Sequence, residues 1–257
     1  MRMLAVAGNT VREALRERLL YNLVAFGLLL VLGSLTISQL TLGEQFRIIA
    51  NIATASTQIF GTLIAVLLGA TLVARELDRR TCYAALARPV SRSGFLVGKY
   101  LGLLAALGLN VLVMAAVSGA MLFTYSGSLS FLSAAYLGAF LLLLVQFAIC
   151  GAFSVLFATF STPTLAVILT LSVVAAGHIF TDIREFWLQS KAAGLKELVR
   201  VFDFLLPNMG FLDLKEAVTY GDAVGAGTIA LRGLYGLLYA GTVLAIAAAV
   251  FSRRDIR

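Results

Sequence analysis

From Tyr100 to Thr181 the chain contains no Asp, Glu, Lys or Arg. A helix rises 1.5 Å per residue, so about 20 residues cross a bilayer core of about 30 Å. A charge-free run this long cannot be one crossing, and it must fold back on itself. Turn signals at Ser126-Gly127-Ser128 and Ser161-Thr162-Pro163 divide it into three. Leu19–Gly43, Ile48–Ala74 and Gly233–Ser252 are also free of these four residue types. Six spans are therefore expected near 19–39, 54–75, 100–123, 131–158, 164–181 and 228–251. The runs are continuously apolar rather than alternating, which predicts helices and not a β-barrel.

Composition agrees. Hydrophobic residues make up 60% of the chain and charged residues 13%, against about 25% charged in soluble domains. Mean hydropathy is +0.96. These values exclude a soluble enzyme, a disordered chain and a disulfide scaffold. The 23 glycines, among them Gly61, Gly69, Gly102, Gly108 and Gly119, let helices approach closely in lipid. The first apolar run is longer than a signal h-region and lacks the usual cleavage site, so it is expected to be retained.

Six spans put both termini on one side. Of the 20 basic residues, 13 fall on that side, in the N-terminal segment, the connection between spans two and three, and the tail. The positive-inside rule makes this side cytoplasmic. The five basic residues of the outer loop 182–227 are outnumbered there by seven acids. The net charge of +7 is thus mostly topology. It does not point to nucleic acid, because aromatic residues do not interleave the basic clusters. Cys82 and Cys150 fall in the cytoplasmic loop and the fourth span, which does not suggest a disulfide.

Three segments lie outside the spans. Residues 1–18 read as an amphipathic helix, with Leu4, Val11 and Leu15 on one face and Arg12, Glu13, Arg16 and Glu17 on the other. It is expected to lie on the inner membrane surface, either as a simple orientation anchor or as a partner-binding element. In the outer loop, Leu188, Ala192, Leu195, Val199, Phe202 and Leu206 form one helical stripe. Trp187 stands at its start as an interfacial anchor, and Pro207-Asn208-Met209-Gly210 ends it. This stripe reads as a surface connector, with an outer gate as the alternative. The third segment runs from Arg75 to Lys99, and eight of its residues are charged. Glu76, Asp78, Arg79, Arg80 and Thr81 continue a helix out of the membrane. Pro89 disfavours helix at Arg88, and Arg92 follows the break. Two readings stand for it: a docking element for a soluble partner, or a solvated loop whose arginines fix topology.

No enzyme site is visible. His178 is the only histidine, and it reads as a packed or interfacial side chain near the outer face. Met114 and Met121 share a helix face and read as packing rather than a soft-metal path. Gly98-Lys99 resembles the end of a P-loop, but Ser93 and Tyr100 stand where Gly and Ser or Thr are needed. Nucleotide energy, if used, comes from another chain. No acid or lysine is expected at mid-depth, and Arg232 is expected to snorkel at the outer end of the last span. That argues against a proton- or sodium-coupled carrier.

These features resemble the membrane subunit of an ABC transporter of the ABC-2 type, in the group of copper-processing and gliding-type permeases. The resemblance covers essentially the whole chain, read as one transmembrane domain, 1–257. Its most specific part is Glu76–Lys99, where Glu76, Thr81, Leu86, Pro89, Val90, Arg92 and Lys99 match the family pattern. Arg80-Thr81 departs slightly from a threonine–glycine or glycine–threonine pair. Gly43-Glu44-Gln45, Leu206-Pro207-Asn208 and Phe251-Ser252-Arg253-Arg254-Asp255 also resemble it. The resemblance implies an elbow helix at the N-terminus, carrying Arg12 and Arg16. It implies a coupling helix after span two, in a loop formed by Glu76, Asp78, Arg79, Arg80, Thr81, Arg88, Pro89 and Arg92. It further implies a second permease chain, identical or homologous, and two ABC ATPase subunits. Those subunits, not this chain, would bind ATP and Mg. The expected location is a bacterial or archaeal inner membrane, and the expected direction is export. A non-transporting scaffold that anchors a cytoplasmic complex is the alternative.

Overall fold

The computed structural model describes residues 2–39, 44–78, 92–189 and 193–253. Among these residues the chain is helical and contains no strand. The helices are α1 (Arg2–Ala14), α2 (Arg18–Gln39), α3 (Gln45–Asp78), α4 (Arg92–Ser126), α5 (Ala134–Ala158), α6 (Pro163–Gln189), α7 (Ala193–Leu205), α8 (Lys215–Tyr220) and α9 (Ala226–Arg253). Six are long and apolar enough to cross a membrane: α2, α5 and most of α3, α4, α6 and α9. Helices suit this setting because each satisfies its backbone hydrogen bonds internally. The two sides are called here the terminal side, where α1 begins and α9 ends, and the distal side.

Two spans begin before their charge-free runs do. The second extends over Gln45–Leu72 and the third over Ser93–Ser126. Isolated polar residues at a helix end, such as Arg47 and Lys99, do not stop it when the backbone ladder continues. The predicted outer stripe divides between two helices. Trp187 and Leu188 belong to α6, and α7 begins at Ala193. The Phe180, Trp187 and Phe202 rings pack together between them, with centroids 5.4–6.3 Å apart.

The core sits on α5. This helix is apolar on every side and mostly buried, as expected for a helix surrounded by others. It packs against α9, α3, α4 and α6. Ser133 caps its start by accepting a hydrogen bond from the Tyr136 N–H. Buried hydrogen bonds tie it to its neighbours. The Ser154 hydroxyl donates to the Val66 carbonyl of α3 at 2.7 Å. The Tyr100 hydroxyl of α4 donates to the Ala148 carbonyl at 2.8 Å. The Tyr136 hydroxyl donates to Ala115 of α4 at 2.6 Å. Large apolar side chains on α2, α4 and α9 face outward, among them Phe26, Leu29, Leu112, Leu237 and Leu238. In a membrane that exposure is lipid contact rather than a liability.

Candidate functional site

The predicted coupling segment is only partly described. Glu76 and Asp78 fall in the last turns of α3, and Arg92 opens α4. Arg79, Arg80, Thr81, Arg88 and Pro89 lie outside the described residues, as does the short helix expected among them. What is described is the pair of helices that flanks the segment. Both α3 and α4 run unbroken from its two ends to the distal side.

Beside that segment, α1 is docked on the base of α4. The amphipathic helix ends at Ala14, and a turn over 15–17 leads into α2. The fully buried residues are Thr10 and Ala14, whereas Val11 and Leu15 are half-buried. Small side chains win this face because the backbones approach closely. A Cβ at Gly102 would stand 2.5 Å from the Thr10 Cβ and 2.6 Å from the Ala7 carbonyl oxygen. Arg12 and Arg16 remain exposed on the opposite face. The Glu13 carboxylate reaches across to the Lys99 ammonium at 2.8 Å, with Lys99 only 3% exposed. Lys99 was legible as a basic residue before the third span. Its burial inside the span was not.

A second polar constellation lies within the bundle. The Gln58 amide on α3 donates to the Gln146 carbonyl oxygen on α5 at 3.4 Å. The Gln146 amide nitrogen lies 3.1 Å from Nε2 of His178 on α6. With the amide in this orientation Gln146 donates and His178 accepts. Gln146 is fully buried and sits at the middle of α5. His178 is a packed side chain that belongs to a polar chain across three spans. On α4, Asn110 is buried with neither amide atom hydrogen-bonded, an unpaired polar group that costs free energy in a low-dielectric interior.

The distal side is clasped by the Leu206-Pro207-Asn208 turn. The Asn208 N–H donates to the Tyr235 hydroxyl at 3.0 Å. The Asn208 side-chain Oδ1 accepts from the Phe211 N–H at 2.9 Å and from the Thr181 hydroxyl at 3.2 Å. The Tyr239 hydroxyl donates to the Leu205 carbonyl at 2.9 Å. A Cβ at Gly177 would meet the Pro207 carbonyl oxygen at 2.6 Å. The Arg184–Asp203 ion pair, at 2.9 Å, holds α7 to α6. Residues 213–215 then turn back against the bundle. Asp213 and Lys215 line a cleft with Thr54 and Gln58 of α3 and with Ala139 and Leu143 of α5. Ala139 and Leu143 lie five and nine residues into α5, so about 8–14 Å along it at 1.5 Å per residue. The loop packs its charged residues Asp213 and Lys215 against α3 and α5 there. Arg232 does not simply snorkel: its Nη1 donates to the Asp213 carbonyl at 3.2 Å, and its guanidinium lies over the Phe211 ring.

These features describe a membrane bundle with a docked terminal helix and a charged segment between two long spans. No curated protein matches the chain significantly. The profile of the family described as ABC-2 family transporter protein matches residues 4–256. That match takes in α1, all six spans and the 79–91 segment, and on it the chain belongs to the ABC-2 family of transporter proteins.

Proposed function

We propose that this chain, as one transmembrane domain over 1–257, is the permease that converts ATP hydrolysis by separate ABC ATPase subunits into substrate movement, in the export direction. The observation that carries the reading is the family match over 4–256. The build of the terminal side supports it. The acids Glu76 and Asp78 at the end of α3 and the arginines that follow them up to Arg92 join α3 to α4, two unbroken helices that reach the distal side. A push at that segment has rigid levers to act on. The docked α1, held by Glu13–Lys99 and by the Thr10–Gly102 contact, ties the base of α4 to α2. The spans then move together rather than separately.

In this reading the terminal side is cytoplasmic, in an inner membrane. Glu76, Asp78, Arg79, Arg80, Thr81, Arg88, Pro89 and Arg92 meet the ATPase groove, and Arg12 and Arg16 lie against anionic headgroups. Two permease chains and two ATPase chains make the working unit. ATP and Mg reside in the ATPases. Purification in mild detergent tests this. The tagged chain should bring down an ABC ATPase in stoichiometric amount, and the chain alone should neither bind nor hydrolyse ATP. Saturable nucleotide binding by the isolated chain, or the absence of any ATPase partner, contradicts the reading.

A further inference from the structure

One polar chain crosses the bundle apart from the segment assigned to coupling. The Gln58 amide nitrogen donates to the Gln146 carbonyl oxygen at 3.4 Å, and the Gln146 amide nitrogen lies 3.1 Å from Nε2 of His178. Gln146, in the middle, is sealed, and both ends are half-buried. The apolar part of α6 ends at Thr181, three residues beyond His178, where the Thr181 hydroxyl meets the distal Asn208 turn. His178 is thus the end of the chain that stands within reach of the distal side.

A side-chain amide has a donor end and an acceptor end, and neutral imidazole carries one donor and one acceptor nitrogen. Two amides and an imidazole in series can therefore run in either direction. Here donation runs from α3 through α5 to α6, and His178 Nε2 is the last acceptor. Imidazolium has no acceptor nitrogen. Once His178 is protonated only the opposite direction is left. Its Nε2–H donates to the Gln146 carbonyl oxygen, and the Gln146 amide donates to the Gln58 carbonyl oxygen. Charged groups around His178 lie mostly at the ends of the elements. On α6 itself Asp182, Arg184 and Glu185 follow it. Helix α5 carries no charged residue, and its titratable side chains are Tyr136 and Cys150. Helix α3 carries Arg47, Arg75, Glu76 and Asp78 near its ends. Helix α7 carries Lys196, Glu197, Arg200 and Asp203, with Asp203 paired to Arg184 and Glu197 to Arg200. Asp213 follows the 210–212 turn.

We propose that His178 is a proton-responsive switch: a proton taken up from the distal side reverses the hydrogen-bond chain through α5 to α3. Reversal replaces the neutral bond between α6 and α5 by a charge-assisted one, roughly twice as strong. Acid on the distal side then tightens α6 on α5 and turns over the Gln58 amide on α3, with no change of backbone. The proton stays on the imidazole, so the chain senses acidity and does not conduct protons.

Histidine occurs once and glutamine at five positions, so selective nitrogen-15 labels on these two residue types can be assigned by substitution. The full chain, reconstituted in liposomes without ATP or ATPase, is followed by solid-state NMR from about pH 8 to about pH 5, the range in which an ordinary histidine titrates. The outcome is therefore separate from that of the coupling reading. At the alkaline end the ring should carry its proton on Nδ1, and magnetisation should pass between bare Nε2 and the Gln146 amide nitrogen. At the acidic end both ring nitrogens should be protonated, and that transfer should be lost as the carbonyl oxygen turns to the ring. The Gln58 and Gln146 amide signals should shift with the same midpoint as the ring. In His178→Leu both amide signals should stay constant across the range. In Gln146→Leu the ring should titrate while Gln58 no longer follows; the wild-type titration decides by itself if either variant fails to fold. A ring that stays neutral throughout, one that holds its proton on Nε2 at the alkaline end, or one that titrates while the two amides stay still overturns the proposal.

Discussion

Lys99 shows how burial makes a single ion pair count. It is nearly fully buried, with its ammonium 2.8 Å from Glu13, so the pair couples α1 to α4 where exposed pairs would contribute little. Exposed ion pairs give about 0.2–1 kcal/mol, and stranding one member of a buried pair costs about 3–5 kcal/mol. Glu13 is partly exposed, so Glu13→Gln should fall between these, at about 1–3 kcal/mol. Thermal unfolding in detergent reads it, and an unchanged Tm would mean that α1 does not depend on the pair. The Gln58–Gln146–His178 chain gives a second residue-scale expectation. Interhelical hydrogen bonds in membranes average about 0.6 kcal/mol and reach about 1.7. Gln146→Leu removes two of them and should destabilise by about 1–2 kcal/mol. Gln58→Leu should cost less, because its contact is the longer one at 3.4 Å. If the order is reversed, the polar chain is not what holds α5 to α3 and α6. Neither constellation was legible beforehand. Gln58, Gln146 and His178 sit on three helices far apart in sequence, and periodicity says nothing about which polar residues meet. His178 alone drew attention, as the only histidine.

At the scale of elements, helix existence was legible and helix faces were not. Charge-free runs and turn residues mark all six spans, because length and apolarity are what a bilayer requires. The docking face of α1 escaped because amphipathicity weights Leu4, Val11 and Leu15, whereas close approach rewards Thr10 and Ala14. That difference is testable at two glycines. Gly102→Ala places a methyl group 2.6 Å from the Ala7 carbonyl oxygen, and Gly177→Ala places one 2.6 Å from the Pro207 carbonyl oxygen. Neither obstacle is a flexible side-chain end, so backbone must move, at a cost of about 1–3 kcal/mol. Gly138→Ala meets side-chain atoms alone, Cδ1 and Cγ1 of Ile229 and Cδ1 of Leu214, and should cost less. Differential scanning of the three variants checks the ranking. If Gly138→Ala is the most damaging, the close contacts of α1 and of the 206–208 turn are not the tight ones. The packing of Asp213 and Lys215 against α3 and α5 is hidden for a related reason. A loop long enough to return to the bundle shows only its polarity in sequence, not where its chain turns.

For the whole molecule, the account rests on which side the charged segment faces and on what it does there. The basic excess on the terminal side predicts that Cys82 is cytoplasmic. A membrane-impermeant thiol reagent should label it in inverted vesicles and leave it untouched in intact cells; labelling in intact cells would reverse the topology. The central claim, that residues 76–92 carry motion from an ATPase into α3 and α4, is tested most directly by reversing Glu76 and Arg80 together, Glu76→Arg with Arg80→Glu. Single exposed charges are weak, but two reversed charges juxtapose like signs across an interface, which costs more than a missing pair. The measurement is the substrate-stimulated ATPase rate of the permease–ATPase complex reconstituted in vesicles, alongside co-purification. The account predicts a folded, inserted permease that loses either its ATPase partner or its substrate-linked stimulation. Normal assembly with stimulation at the wild-type rate would contradict it, and would leave the segment as a topology signal alone.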